Sequence, residues 1–146
     1  WQPGFAVGMV DAKDIDTHGI VSALSQSAVR ALKQLAELDV IKQALADNQV
    51  HILLDGTHNW LENVVSRIPV TVRAKADRDC VSVAAAACIA KVTRDRLMVK
   101  LAEEYPMYQL DGHKGYASAS HIDALRLHGP SEIHRVSWLT KIMSGA

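Results

Sequence analysis

Lys75-Ala76-Asp77, followed by Val81-Ser82-Val83-Ala84-Ala85-Ala86-Ala87-Cys88-Ile89-Ala90-Lys91-Val92-Thr93-Arg94-Asp95, decides how this 146-residue chain is read. A lone acid stands just outside a helix start, and the helix is almost free of side chains for two turns. Small residues let another backbone or a rigid ligand come close. The helix is predicted from about Val81 to Glu104. It stops before Pro106, because the residue preceding a proline disfavours helical backbone. Upstream, His51-Ile52-Leu53-Leu54 is a short apolar run ending in Asp55-Gly56, a buried strand closed by a turn. Pro69 to Val72 is a second β-branched run, and Phe5 to Val10 is predicted as a further strand. Asp11 is a candidate N-cap for a helix start at Asp11-Ala12-Lys13-Asp14. A long helix is predicted from about Gly19 to Leu38, with Val21, Leu24, Ala28, Ala31, Leu32 and Leu35 forming one apolar stripe. Downstream, Ser118 caps a helix to Leu127. Gly129-Pro130 breaks it, and Ser131 opens a short turn of helix through His134. Strands alternating with helices give an α/β fold with some parallel pairing.

The length suits one domain with a core of its own. The expected division is an α/β part over 1–117 and a helical part over 118–146. The composition reads as soluble and globular, and 16 basic residues balance 16 acidic ones. A nucleic-acid binder often shows a basic excess, so neutrality counts mildly against that reading. The longest apolar run, Val83 to Ala90, is far shorter than the roughly 20 residues a membrane span needs. Cys80 and Cys88, read as eight apart on one helix, would lie about 12 Å apart and could not pair with each other. A reduced, cytoplasmic setting fits these thiols. Seven histidines invite a zinc site. None forms a helical pair at three- or four-residue spacing, and there is no Cys-x-x-Cys. Phosphate-binding loops, dinucleotide fingerprints and serine nucleophile elbows are also absent.

Asp55 closes a predicted strand, and in open α/β sheets ligands gather beyond the carboxyl ends of strands. It is either a metal ligand or a plain Asp-Gly turn residue. Asp77 is either a second ligand or a helix N-cap or loop acid. Together, two carboxylates at neighbouring strand ends suit a hard divalent cation such as Mg²⁺, although two alone hold it weakly. In His113-Lys114-Gly115-Tyr116, Lys114 can neutralise phosphate and Tyr116 can offer its hydroxyl to a 2′-OH. The bland alternative is an exposed loop. Lys91, Arg94 and Arg96 line the key helix, with Lys91 and Asp95 spaced to pair. Asp95 therefore reads as structural. The tail through Arg135 and Trp138 reads in part as a terminal cap, packing Ile133 and Trp138 on the core.

In order along the chain, several strings resemble ribonuclease HII, the type 2 ribonuclease H. They are Asp14-Ile15-Asp16 with the long helix after it, Ile52 to Gly56, Lys75 to Asp77, Ser82 to Asp95, Tyr105-Pro106-Met107-Tyr108, His113 to Tyr116, and Gly129 to Arg135. The resemblance implies a ribonuclease H-like mixed sheet flanked by helices, with a C-terminal helical extension. It implies Asp55 and Asp77 as catalytic, metal-binding carboxylates and Mg²⁺ or Mn²⁺ as cofactor. Tyr116 would read the ribose at an RNA–DNA junction, with Lys114, Lys75 and Arg135 as further nucleic-acid contacts. The implied reaction is hydrolysis of the RNA strand of RNA–DNA hybrids, or cutting at ribonucleotides embedded in duplex DNA, to a 3′-hydroxyl and a 5′-phosphate. The complete protein is expected to be a monomer that does not engage membranes.

Two departures limit this. The family's Asp-Glu pair with its Gly-Arg-Gly string is absent, and so is its Ser-Lys-Lys segment. With Trp1 in place of Met and few visible strands, this suggests missing N-terminal strands. The fragment alone is then expected to be inactive. The alternative is a non-catalytic remnant that binds nucleic acid or a partner.

Overall fold

The computed structural model describes residues 4–140. Two parallel strands, β1 (Ile52–Asp55) and β2 (Val70–Arg73), form the sheet, in the register Ile52 to Val70 through Asp55 to Arg73. The ladder continues past the strand ends: Ile52 N–H donates to the Pro69 carbonyl at 2.9 Å, and Gly56 N–H to that of Arg73 at 3.1 Å. The helices, in chain order, are α1 (Ala12–Leu35), α2 (Asp39–Ala46), α3 (Ala76–Asp79), α4 (Val81–Glu104), α5 (Leu110–His113) and α6 (Ala119–His128). Short 3₁₀ turns occupy Pro106–Tyr108 and Val136–Trp138. The chain is therefore mixed α/β, as its alternating pattern predicts.

By contacts the chain divides into two compact units. One contains residues 4–10 and 19–90, the other residues 11–18 and 91–140. In the first, Leu54, Leu61, Ala23 and Ala76 are buried. Ser25, also buried in α1, satisfies its hydroxyl by donating to the Trp60 and Val21 carbonyls. In the second, Tyr108, Leu110, Ala124 and Leu125 form a core, with Leu101, Ala102, Tyr105, Ile133 and Leu139 packed against it.

Caps account for several boundaries. The Asp11 carboxylate accepts from Asp14 N–H at 2.8 Å, closing the first turn of α1. Ser118 Oγ accepts from His121 N–H at 3.3 Å at the start of α6. The region α4 spans, Val81–Glu104, is the one its sequence predicts.

Two expectations need correction. Phe5 to Val10 is not a strand: among the described residues it has no ladder partner, and β character needs one. The long helix does start where it is predicted: Gly19 sits at φ 80°, ψ 162°, a non-helical break inside α1 that glycine adopts without strain, and helix resumes after it as far as Leu35. Ser131 to His134 is a turn closed by His134 N–H donating to the Ser131 carbonyl at 3.0 Å, not a helix.

The small-residue start of α4 buries nothing: no residue of α4 is buried. Instead its Ala85–Ala87 stretch, residues 4–8, Leu53 and Leu54 line a largely apolar cavity of about 740 Å³. Phe5 stands 66% exposed nearby in sequence. Gly8 matters for another reason. A Cβ there would lie 1.8 Å from the Ser27 carbonyl oxygen, so residues 4–10 rest against α1 only because position 8 has no side chain. Gly8→Ala should destabilise the first unit by about 1–3 kcal/mol, the cost of forced overpacking. A lowered urea midpoint at unchanged slope would show it, and an unchanged midpoint would mean that residues 4–10 do not pack there.

Candidate functional site

Asp55 is the last residue of β1, so its carboxylate emerges at the carboxyl end of the parallel pair. There Oδ1 accepts from Ala76 N–H at 2.8 Å. Ala76 is fully buried, the first residue of α3, and Asp77 follows it in the same helical turn. Lys75 makes the turn possible by taking a left-handed conformation, φ 59° and ψ 36°. The order strand, left-handed residue, short helix thus sets Asp77 one peptide away from the amide that Asp55 holds. Both carboxylates are exposed. Arg73 and Asp79 pair with each other across the same turn.

The Asp55 side chain reaches across to the loop that leaves β2. Asp77 lies within the four-residue helix α3 and does not cap it, since the position before the helix is Lys75. In kind, the two groups fit a hard divalent cation, which takes carboxylate oxygens. In number they do not: among the described residues no group of three or more His, Cys, Asp or Glu gathers to hold a metal. Cys80 is not on α4 but precedes it, in extended backbone, and both thiols are free.

The second unit carries Lys114, Tyr116 and Arg135. Tyr116 is 63% exposed on the loop after α5. Arg94 of α4 lies 5.5 Å from the centre of its ring and donates to the Lys114 carbonyl at 2.8 Å. Gly115, at φ 78°, lets this loop pass close to Arg94 and Met98. Lys91 and Asp95 pair at 2.6 Å, as their spacing predicts, which holds the Asp95 carboxyl below its ordinary range. The other Asp95 oxygen is buried without a partner among the described residues. Arg135 stacks 3.8 Å over the Trp138 ring. Trp138 itself is half exposed, so the expectation that it packs into the core with Ile133 holds only for Ile133.

Sequence reading missed the support beneath this loop. Three histidine rings, from the end of α5, from α6 and from the turn that follows α6, are linked: His113 stacks on His121 at 4.4 Å, and Nε2 of His121 faces Nε2 of His134 at 3.2 Å. Their partners fix the protons. His121 Nδ1 meets the Tyr116 carbonyl at 3.0 Å, which can only accept, so that nitrogen carries hydrogen. His134 Nδ1 accepts from Ser131 N–H at 3.2 Å, so His134 carries hydrogen on Nε2 and donates it to His121. His113 Nε2 donates to the Tyr108 carbonyl at 2.7 Å, while its Nδ1 accepts from Gly115 N–H. Every ring is satisfied when neutral. A proton added to His121 would set two donors against each other. Burial lowers the pKa of both His121 and His134, and each is pushed further by a neighbouring histidine. Asp16 adds a tie: its carboxylate accepts from Val136 N–H at 2.7 Å and Ser137 N–H at 3.2 Å. The Ser137 hydroxyl bonded to it holds its pKa down. Asp16 lies 120 and 121 positions from the amides it holds, so no local spacing announces it.

Comparison with known proteins converges on one family. The ribonuclease HII profile matches residues 5–141. The chain is 39% identical over 129 residues to ribonuclease HII of Bacillus subtilis, covering 88% of this chain and 45% of that protein. It is 36% identical over 143 residues to that of Caldicellulosiruptor bescii, covering 96% and 61%. With that of Streptomyces avermitilis the identity is 37%, covering 94% and 54%. This chain belongs to the ribonuclease HII family. It spans about half the length of the curated relatives it matches.

The histidine relay makes a pH prediction. A folded pKa below the free value of about 6.5 means that the unfolded chain takes up protons first as pH falls. The relay's contribution is therefore complete above about pH 6.5 and is lost as pH drops through the lowered folded values. The melting temperature should fall between pH 7 and pH 5, and fall less in His134→Met. Equal slopes in the two proteins would refute the neutral relay.

Proposed function

We propose that this chain is part of a metal-dependent endoribonuclease that cuts RNA in RNA–DNA hybrids and at ribonucleotides embedded in duplex DNA. The observation that carries the reading is the Asp55 carboxylate, fixed by the Ala76 amide beside Asp77 at the carboxyl end of a parallel strand pair, in a chain of this family. Asp55 and Asp77 would hold Mg²⁺ or Mn²⁺. Such a cation supplies charge stabilisation to the phosphodiester oxygens and activates water. Asp55 keeps its second oxygen for this task while the first is committed to the fold. Lys75, in its left-handed turn before Asp77, would add positive charge for the phosphate backbone. Tyr116, Lys114 and Arg135 would engage the nucleic acid, with the Tyr116 hydroxyl on a ribose 2′-OH.

The shortfall of carboxylates supports an incomplete centre, completed by a further segment of a longer protein. So does the open cavity beside the sheet, whose apolar lining suits additional strands. On this reading the isolated chain binds hybrid weakly and salt-sensitively and does not cut it. Cleavage of a ribonucleotide-containing duplex by purified chain 1–146 with Mg²⁺ would contradict the need for further ligands. Sequencing the encoding DNA upstream of Trp1 tests the same point. An in-frame strand with an Asp-Glu pair is expected, and a stop codon there refutes it.

In a form carrying that segment, Asp55→Asn should abolish turnover and leave hybrid binding intact. An amide oxygen can still accept from Ala76 N–H, so the change removes charge but keeps the fold. Full turnover would refute the metal role. Tyr116→Phe should weaken cutting at a single embedded ribonucleotide more than cutting of a uniform hybrid. Equal losses would count against junction reading.

A further inference from the structure

The second unit contains a small cleft whose charge is not explained by its packing. Its volume is about 140 Å³, room for four or five waters at about 30 Å³ each, or for one tetrahedral oxyanion. Arg94 and Arg135 line it, with His121, His134, Trp138 and Gly115, and no carboxylate does. Both guanidiniums are held in place. Arg94 is anchored by the Lys114 carbonyl at 2.8 Å and lies 5.5 Å from the Tyr116 ring centre. Arg135 lies 3.8 Å over the Trp138 ring. Neither forms an ion pair among the described residues. The carboxylate that acts on Arg135, Asp16, has its oxygens taken by the Val136 and Ser137 amides and the Ser137 hydroxyl. Burial and the charge of Arg94 both push the Arg135 pKa down, and the charge of Asp16 offsets this in part. The histidines add no counter-charge, since their relay is satisfied in the neutral state.

We propose that Arg94 and Arg135 form a seat for one phosphate group beside Tyr116. Arginine forks match phosphate oxygens in pairs, and an anion between two fixed guanidiniums relieves their repulsion. The flanking Tyr116 and Trp138 faces favour a phosphodiester of nucleic acid over a free oxyanion, because sugars and bases stack on exposed aromatic rings. Arg94 thereby becomes a positioning residue. It fixes the loop that carries Tyr116 and shares the phosphate next to it. This inference rests on the nucleic-acid reading above, but its test does not require turnover.

The test is a titration of ¹⁵N-labelled chain 1–146 with inorganic phosphate, followed in the arginine Nε–H and Gly115 amide signals. Saturable shifts confined to Arg94, Arg135 and Gly115 are expected. Shifts spread over exposed lysines, or none at these three groups, would overturn the seat whatever the cleavage assays give. A second arm measures hybrid binding against salt. Arg135→Gln should weaken binding evenly across sequences and lower the salt slope by about 1. Arg135→Lys should recover the slope but only part of the affinity, since it restores charge without the fork. An unchanged slope in Arg135→Gln would also overturn the proposal. Because the first arm uses the unaltered chain, a variant that fails to fold does not blunt the test. Phosphate shifts without hybrid binding would support the seat and count against the hybrid reading alone.

Discussion

One hydrogen bond organises the candidate site: Asp55 Oδ1 to the Ala76 amide, 2.8 Å. It links the end of β1 to the first residue of α3, and Ala76 is completely buried where the link is made. A carboxylate that accepts from a backbone amide is held at one position. Its unused oxygen therefore projects from a fixed place at the strand end. Asp77, on the next residue, inherits its location from the same contact. The ladder, continued by Gly56 N–H donating to the Arg73 carbonyl, sets the loop after β2 beside Asp55 as well.

Much of this was legible in sequence because it depends on local rules. The strand His51–Leu54 with its Asp-Gly ending, the proline stop after α4, and the Asp11 and Ser118 caps each follow from a few neighbouring residues. What depends on distant partners was not. Phe5 to Val10 has the composition of a strand but finds no ladder among the described residues, and composition cannot supply one. Asp16 reaches amides 120 and 121 positions on, and His121 meets His134 13 positions on. Asp55 and Asp77 stood out only as a pair, and the geometry that joins them is a side-chain-to-amide contact that no spacing rule encodes.

The second unit shows a different economy. Its loop residues Lys114, Gly115 and Tyr116 are placed by polar links beneath them more than by apolar burial. Arg94 bonds the Lys114 carbonyl, His121 the Tyr116 carbonyl, and His113 the Gly115 amide. Tyr108 donates its hydroxyl to the Gly129 carbonyl at 2.7 Å, and Tyr105 to Glu132 at 2.6 Å, tying down the segment that leads to His134 and Arg135. An exposed tyrosine on so well-tied a loop keeps one orientation while its ring stays open to solvent. That combination suits recognition, where a pre-placed group loses little entropy on contact.

The claim that carries the account is that Asp55 and Asp77 share one cation-accepting edge. The direct measurement is paramagnetic broadening of backbone amide signals on adding Mn²⁺ to chain 1–146. The account predicts early, selective loss of the Gly56, Ala76 and Asp77 signals, and its disappearance in Asp55→Asn. Broadening centred on other acids, with those three signals unaffected, would contradict it.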